Sequence, residues 1–266
     1  MQRIVFTLCL LAFAAPAAAL TPAHDAALKT YRALLQKHIT PRSDGVAGVA
    51  YAKWRASAQD RAALDQVVAA LAAEKPSQLS RDEAFAYWAN LYNAVTLKVV
   101  IDAYPIASIK DVKSAGTSFF DVKAYLGPWR EKRVTVEGRE LSLDDIEHSI
   151  MRPTFKDPRV HYAVNCASIG CPDLKPEPWR AETLSADLDA AARAYVNHPR
   201  GATVAADGGL TVSSIYSWFQ EDFGGDGAGV VAHLTKYAQP ALAAKLKGKT
   251  GFDRDAYDWT LNEAGK

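Results

Sequence analysis

The chain has 266 residues, 49% of them hydrophobic, enough to bury a sizeable core, and this excludes intrinsic disorder. Its 31 Lys and Arg against 30 Asp and Glu give a net charge of +1 with no long single-sign run, so there is no electrostatic basis for a nucleic-acid partner. The one long apolar stretch lies at the N-terminus, which excludes a multi-span channel or transporter.

That stretch reads as an export leader. Arg3 supplies the positive start, residues 4–15 an apolar run, and Pro16 with Ala17, Ala18 and Ala19 a small-residue cleavage pattern. The run is shorter than the roughly 20 residues of a spanning helix. Removal of residues 1–19 takes away Arg3 and Cys9 and leaves a neutral chain that is not an integral membrane protein. Its remaining cysteines, Cys166 and Cys171, then reside in the periplasm or outside the cell, where disulfides form. No particular partner is indicated.

Residues 20–79 form an N-terminal helical segment. Leu28, Tyr31, Leu34 and Leu35 recur at helical spacing, Pro41, Gly45 and Gly48 interrupt, and a second helix is expected over 51–73. Ser80 and Glu83 form a capping box that opens a long helix, with Phe85, Trp88, Tyr92, Val95 and Val99 as its core face and an end before Pro105. A loop with Gly116, Gly127 and Pro128 follows. Residues 133–136 and 139–141 flank Glu137-Gly138 as a tight hairpin. Ser142 caps a short helix over 143–151 that Pro153 ends. Residues 160–166 read as a strand, and 166–178, rich in Gly and Pro, as an ordered loop. Helical patterns return at 184–196, 214–222 and 229–246, and 255–261 reads as a last strand. The sum is a single α+β domain, helix-rich, with a small antiparallel sheet.

Three segments, 84–94 (AFAYWANLYNA), 143–152 (LDDIEHSIMR) and 157–172 (DPRVHYAVNCASIGCP), together resemble the DUF547 domain family. Residues 212–224, with Trp218 and Glu221-Asp222-Phe223-Gly224, and the closing Tyr257-Asp258-Trp259 extend the resemblance over 80–262. The family is one of unknown function, so the resemblance implies no reaction, and the motifs stand on their own chemistry. The helix-then-strands order is also similar to papain-like and transglutaminase-like folds. The long helix, however, carries Asn90 and Asn93 where such enzymes carry their cysteine, and the thiols follow the histidine segment instead.

On a strand over 160–166, His161, Ala163 and Asn165 share one side. His161 and Asn165 would lie roughly 13 Å apart, each free to meet a ligand or the following loop. Cys171, beyond the turn at Gly170, can fold back toward His161 as a nucleophile with its base. Asn90, Asn93 or Glu147 would orient the imidazole. The expected catalytic set is therefore Cys171, His161, Glu147 and Asn90, with Asn93, Asn165, His148 and Cys166 as binding residues. For each a plainer role stays open: a Cys166–Cys171 disulfide, asparagines bonding backbone in the core, and an exposed Asp144–His148 pair. A zinc site of His148, His161, Cys166 and Cys171 is disfavoured by the C-x4-C spacing. With no P-loop, dinucleotide fingerprint or nucleophile elbow, no cofactor is expected. The functional expectation is a thiol-dependent hydrolase or acyltransferase of the cell envelope. Its alternative is a non-catalytic envelope binding or assembly module stapled by the disulfide.

Overall fold

The computed structural model describes residues 21–113 and 128–265; the expected leader, Gly116 and Gly127 lie outside them. Helix α1, Pro22–His38, starts at Thr21, whose hydroxyl accepts the His24 N–H at 3.1 Å, with Pro22 in the first turn. A short antiparallel hairpin follows, β1 Ile39–Pro41 and β2 Ala47–Val49. The single helix expected over 51–73 is two, α2 Tyr51–Ala56 and α3 Ala58–Ala72. Ser57 leaves the helical region and caps α3 by accepting the Asp60 N–H. Its capping preference outweighs the continuous alanine-rich pattern.

Helix α4, Arg81–Ala103, opens on the expected capping box, the Ser80 N–H donating to Glu83 Oε2 at 2.9 Å. Every residue from 85 to 97 is buried, so the five expected core positions are part of a helix enclosed on all sides. This helix is the axis of the larger core, which joins Leu28, Tyr31 and Leu35 of α1, Leu64 and Leu71 of α3, and Ile146 and Val160 beyond.

The hairpin at Glu137-Gly138 is present, β3 Val134–Val136 on β4 Arg139–Leu141, with both turn residues at positive φ. Ser142 caps the next element, its hydroxyl accepting the Asp145 N–H. That element winds as a π-helical stretch, Asp145–Met151, and runs on into α5, Arg152–Phe155. Pro153 falls where the π-helical stretch passes into α5, and the chain stays helical through it to Phe155, so it does not end the helix as expected.

The expected strand over 160–166 is instead one turn of helix, α6 Val160–Ala163, followed by an extended stretch from Val164. Asp157 accepts the Arg159 N–H at 2.9 Å, and the N–H groups of Val160, His161 and Tyr162 bond back to Asp157, Pro158 and Arg159. This local Asp-Pro turn chemistry overrides the alternating apolar pattern. All four residues of α6 are buried, so no polar strand face exists.

Beyond the cysteine loop come α7 Leu184–Val196, β5 Ala202–Val204 and β6 Leu210–Ser213, then α8 Ser214–Trp218 with a 3₁₀ turn Gln220–Phe223. The helix expected over 229–246 divides into α9 Gly227–Tyr237 and α10 Pro240–Leu246, because residues before Pro240 turn extended. The last strand is short, β7 Arg254–Ala256, and pairs in parallel with β6, which is antiparallel to β5. That sheet is therefore mixed, where a purely antiparallel one was expected. Among the described residues no helix is long and apolar enough to cross a membrane.

A second core gathers residues of α7, β6, α8 and α9. The single turn of α6 straddles both: Val160 and Ala163 belong to the first core, Tyr162 to the second.

Candidate functional site

Where the two cores meet, a cavity of about 340 Å³ opens. Its floor is Tyr92 from α4, Glu147 from the π-helical stretch and His161 from α6. One wall carries Cys166, Cys171 and Pro172; the other is aromatic, with Trp218, Phe219, Tyr257 and Trp259. Trp129, Arg130, Asp144 and His148 complete it. The aromatic groups touch one another: Trp218 and Trp259 stack at 5.7 Å, Tyr257 lies 4.6 Å from Trp259, and Trp129 meets Trp259 edge-on at 5.5 Å. Trp218 is the exposed large hydrophobic residue among those described, 47% accessible. A mostly apolar concavity with a few convergent polar groups has the make-up of a small-molecule or peptide-segment site.

His161 sits between two carboxylates. Its Nε2 is 2.7 Å from Asp222 Oδ2 and its Nδ1 is 3.6 Å from Glu147 Oε1. The ring stacks on Phe219 at 4.5 Å, and Arg152 lies over the same phenyl at 4.7 Å while donating to Asp222 at 2.6 Å. Burial alone would lower the His161 pKa, but the bonds to Asp222 and Glu147 outweigh it and raise the pKa above the ordinary value. Asp222 is pushed up by burial yet pulled down to about 2 by His161 and Arg152. Glu147 likewise resists its burial, held below the usual range by His161, His148 and Tyr92. The floor is thus an imidazole held between two carboxylates that favour its protonated form.

Cys166 and Cys171 lie at disulfide-bonding distance, their Cα atoms 6.2 Å apart. Asn165 shapes this loop: its Oδ1 accepts the Ala167 N–H at 2.9 Å, holding Ala167 at φ 60°, and its Nδ2 donates to Pro172 O at 2.7 Å. The Cys171 sulfur accepts the Cys166 N–H at 2.9 Å and the Tyr257 hydroxyl at 3.2 Å. The same hydroxyl is 2.9 Å from Cys166 Sγ. Gly170 makes this approach possible, since a Cβ there would fall 2.9 Å from the Tyr257 ring.

The asparagines of α4 bond backbone. Asn90 donates to Trp179 O and accepts the Trp179 N–H, away from the cavity lining. Asn93 donates to Ala163 O and accepts the Asn165 N–H, fixing the segment between His161 and Cys166. His148 lines the cavity, packs on Phe219 and lies 3.8 Å from Asp144, the pairing its helical spacing suggests. Cys171, His161, Glu147, His148 and Cys166 therefore share one cavity, while Asn93 and Asn165 brace it from within. His161 makes no hydrogen bond to either sulfur; both its nitrogens face carboxylates. Among the described residues no group of three or more His, Cys, Asp or Glu is arranged to hold a metal ion.

Sequence reasoning did not single out Asp222, Arg152, Phe219 or Tyr257. All four fall in segments that also carry the family resemblance, Arg152 in 143–152 and the others in 212–224 and 257–259, and that was the available signal. By fold and site the protein is a helix-rich α+β domain with an aromatic cleft, floored by a carboxylate-clamped histidine beside a cysteine pair. Residues 76–196 match the family model described as Protein of unknown function, DUF547, and the chain carries a DUF547 domain. The match ends at Val196, so the wall from Ile215 to Trp259 lies beyond it. No curated protein and no solved structure matches the chain.

Proposed function

We propose that this domain is a thiol-dependent hydrolase or acyltransferase of the cell envelope, with Cys171 as nucleophile once its bridge to Cys166 is open. The observation that carries the reading is the meeting of the Cys171 sulfur and the His161 ring in one apolar cleft, the sulfur already held by two donors. Such donors favour a thiolate. The thiolate attacks a carbonyl carbon bound in the cleft. As the bond to the leaving atom breaks, the His161 imidazolium supplies that atom's proton, a role that suits a histidine with a raised pKa. Water or an acceptor nucleophile then takes the acyl group from sulfur. The envelope assignment rests on the expected leader and on the paired cysteines, which suit an oxidising compartment.

The test is acyl trapping. Reduced protein treated with p-nitrophenyl acetate should carry an acetyl group on Cys171 by peptide mass mapping, and His161→Ala should form and release it more slowly. Acetylation spread over lysines, unchanged in Cys171→Ser, would sink the reading. A second reading, the non-catalytic module, is favoured by the sulfur pairing and by the engagement of both His161 nitrogens with carboxylates. It expects no acyl adduct and equal destabilisation by either serine substitution, about 2 kcal/mol for so short a loop.

A further inference from the structure

The two sulfurs of the pair are not equivalent. Cys171 is 4% exposed, whereas Cys166 is only half-buried, and both line the cleft. The Cys171 sulfur accepts a backbone N–H and a tyrosine O–H. In thiol–disulfide exchange the attacked sulfur must be reachable, and the departing one must carry negative charge. Access therefore selects Cys166 for attack; the Tyr257 hydroxyl contacts both sulfurs, and the Cys166 N–H, which only the Cys171 sulfur receives, selects Cys171 as leaving group. A cavity of about 340 Å³ admits a thiol of the size of cysteine or a small peptide.

We infer that Cys166 is a site of mixed-disulfide formation with low-molecular-weight thiols, and that this modification is what frees Cys171. The incoming thiol enters as thiolate, having left its proton in solvent. Its sulfur bonds to Cys166 Sγ, the Cys166–Cys171 bond breaks, and the electron pair departs on Cys171 Sγ. One disulfide replaces another, so no outside oxidant or reductant is consumed. The reverse attack by Cys171 restores the bridge and expels the small thiol. The inference rests on the Proposed function only in taking Cys171 as the reactive sulfur; the exchange needs no acyl chemistry.

The test uses the oxidised, folded, full chain with reduced glutathione as probe, quenched after a short interval with excess N-ethylmaleimide, which caps the freed thiol before it recloses. Peptide mapping should place glutathione on Cys166 and the maleimide on Cys171. Glutathione on Cys171 with maleimide on Cys166, or modification only in denaturant, would overturn the inference. Tyr257→Phe removes a hydroxyl that contacts both sulfurs but leaves the Cys166 N–H on Cys171, so it should slow exchange by no more than about tenfold without moving the site of the adduct. Its thermal melt reports whether the fold is intact, and the wild-type map decides the question if it is not. Correct placement of glutathione with no acetyl adduct on the reduced protein would refute the acyl chemistry alone. An acetyl adduct on Cys171 with glutathione also on Cys171 would refute the exchange alone.

Discussion

Asn93 and Thr96 lie one turn apart on α4, both buried and both polar, and the structure assigns opposite signs to their removal. The Asn93 amide accepts the Asn165 N–H at 2.8 Å and donates to Ala163 O at 2.9 Å. Ala163 O keeps a second donor, Trp179 Nε1, so Asn93→Ala orphans chiefly the Asn165 N–H. A buried unpaired N–H costs about 1–3 kcal/mol, and the void left by the amide adds about 1 kcal/mol. The expected loss of about 2–4 kcal/mol corresponds to a fall in Tm of roughly 5–10 °C for a chain of this size. Thr96 Oγ1, by contrast, is buried with no hydrogen-bond partner among the described residues. Thr96→Val keeps the shape and removes a desolvated hydroxyl, so stability should hold or rise. Paired urea melts of the two variants measure both. Asn93→Ala within 0.5 kcal/mol of wild type (about the scatter of surface substitutions), or Thr96→Val as costly as Asn93→Ala, would refute the hydrogen-bond reasoning. If Asn93 braces the site, its loss should also accelerate proteolysis within residues 163–172 at temperatures where the rest of the chain stays folded.

His233, half-buried against Tyr162, has its pKa lowered from 6.5 to about 4, first by loss of solvent and then by Lys236. A depressed histidine stabilises above its unfolded value and loses that contribution as pH falls, so about 3 kcal/mol should disappear between pH 6.5 and 4. His233→Gln should flatten that limb of a pH series of urea melts, and an unchanged limb would refute the assignment. His161 behaves oppositely: with a raised folded pKa, its clamp stabilises fully below pH 6.5 and weakens as pH rises through the folded value. Asp222→Asn removes the anion at Nε2 and should move the His161 titration down in ring-proton NMR, whereas Glu221→Gln, at an exposed carboxylate, should not. Reduction of the cysteine pair should cost about 2 kcal/mol by the loop-entropy account, read as the difference between oxidised and reduced melts.

Much of the helical frame was legible in the sequence because its signals are local: the Ser80–Glu83 box, the Glu137-Gly138 turn and the Ser142 cap all act within four residues. Errors arose where a short-range signal competed with a pattern. Ser57 broke a helix that alanine content would have continued, and the Asp157-Pro158 turn wound His161 into a helix where apolar alternation called for a strand. With that strand went the polar face that was to join His161 and Asn165. Glu147 was legible as the inward carboxylate because it adjoins the buried stripe of its helix. Asp222, 61 residues beyond His161, could not be paired with it by any spacing rule. The tyrosine over the sulfurs lies further still, 86 residues from Cys171, and only the folded chain brings it there.

The 86 residues between Cys171 and Tyr257 also set the order in which the parts of the cysteine loop's surroundings are made. Asn165 shapes that loop from within, but residues 167–170 are also held by backbone bonds to 258–262. The last stretch, where Leu261 bridges Ser168 and Val49 exchanges hydrogen bonds with Asn262 and Ala264, arrives last and seats Tyr257 and Trp259 on the way. The sulfurs therefore precede in synthesis the segment that later lies against them. A chain cut short after α10 would keep its cysteines but lose the Tyr257 hydroxyl and the backbone bonds that 258–262 exchange with residues 167–170.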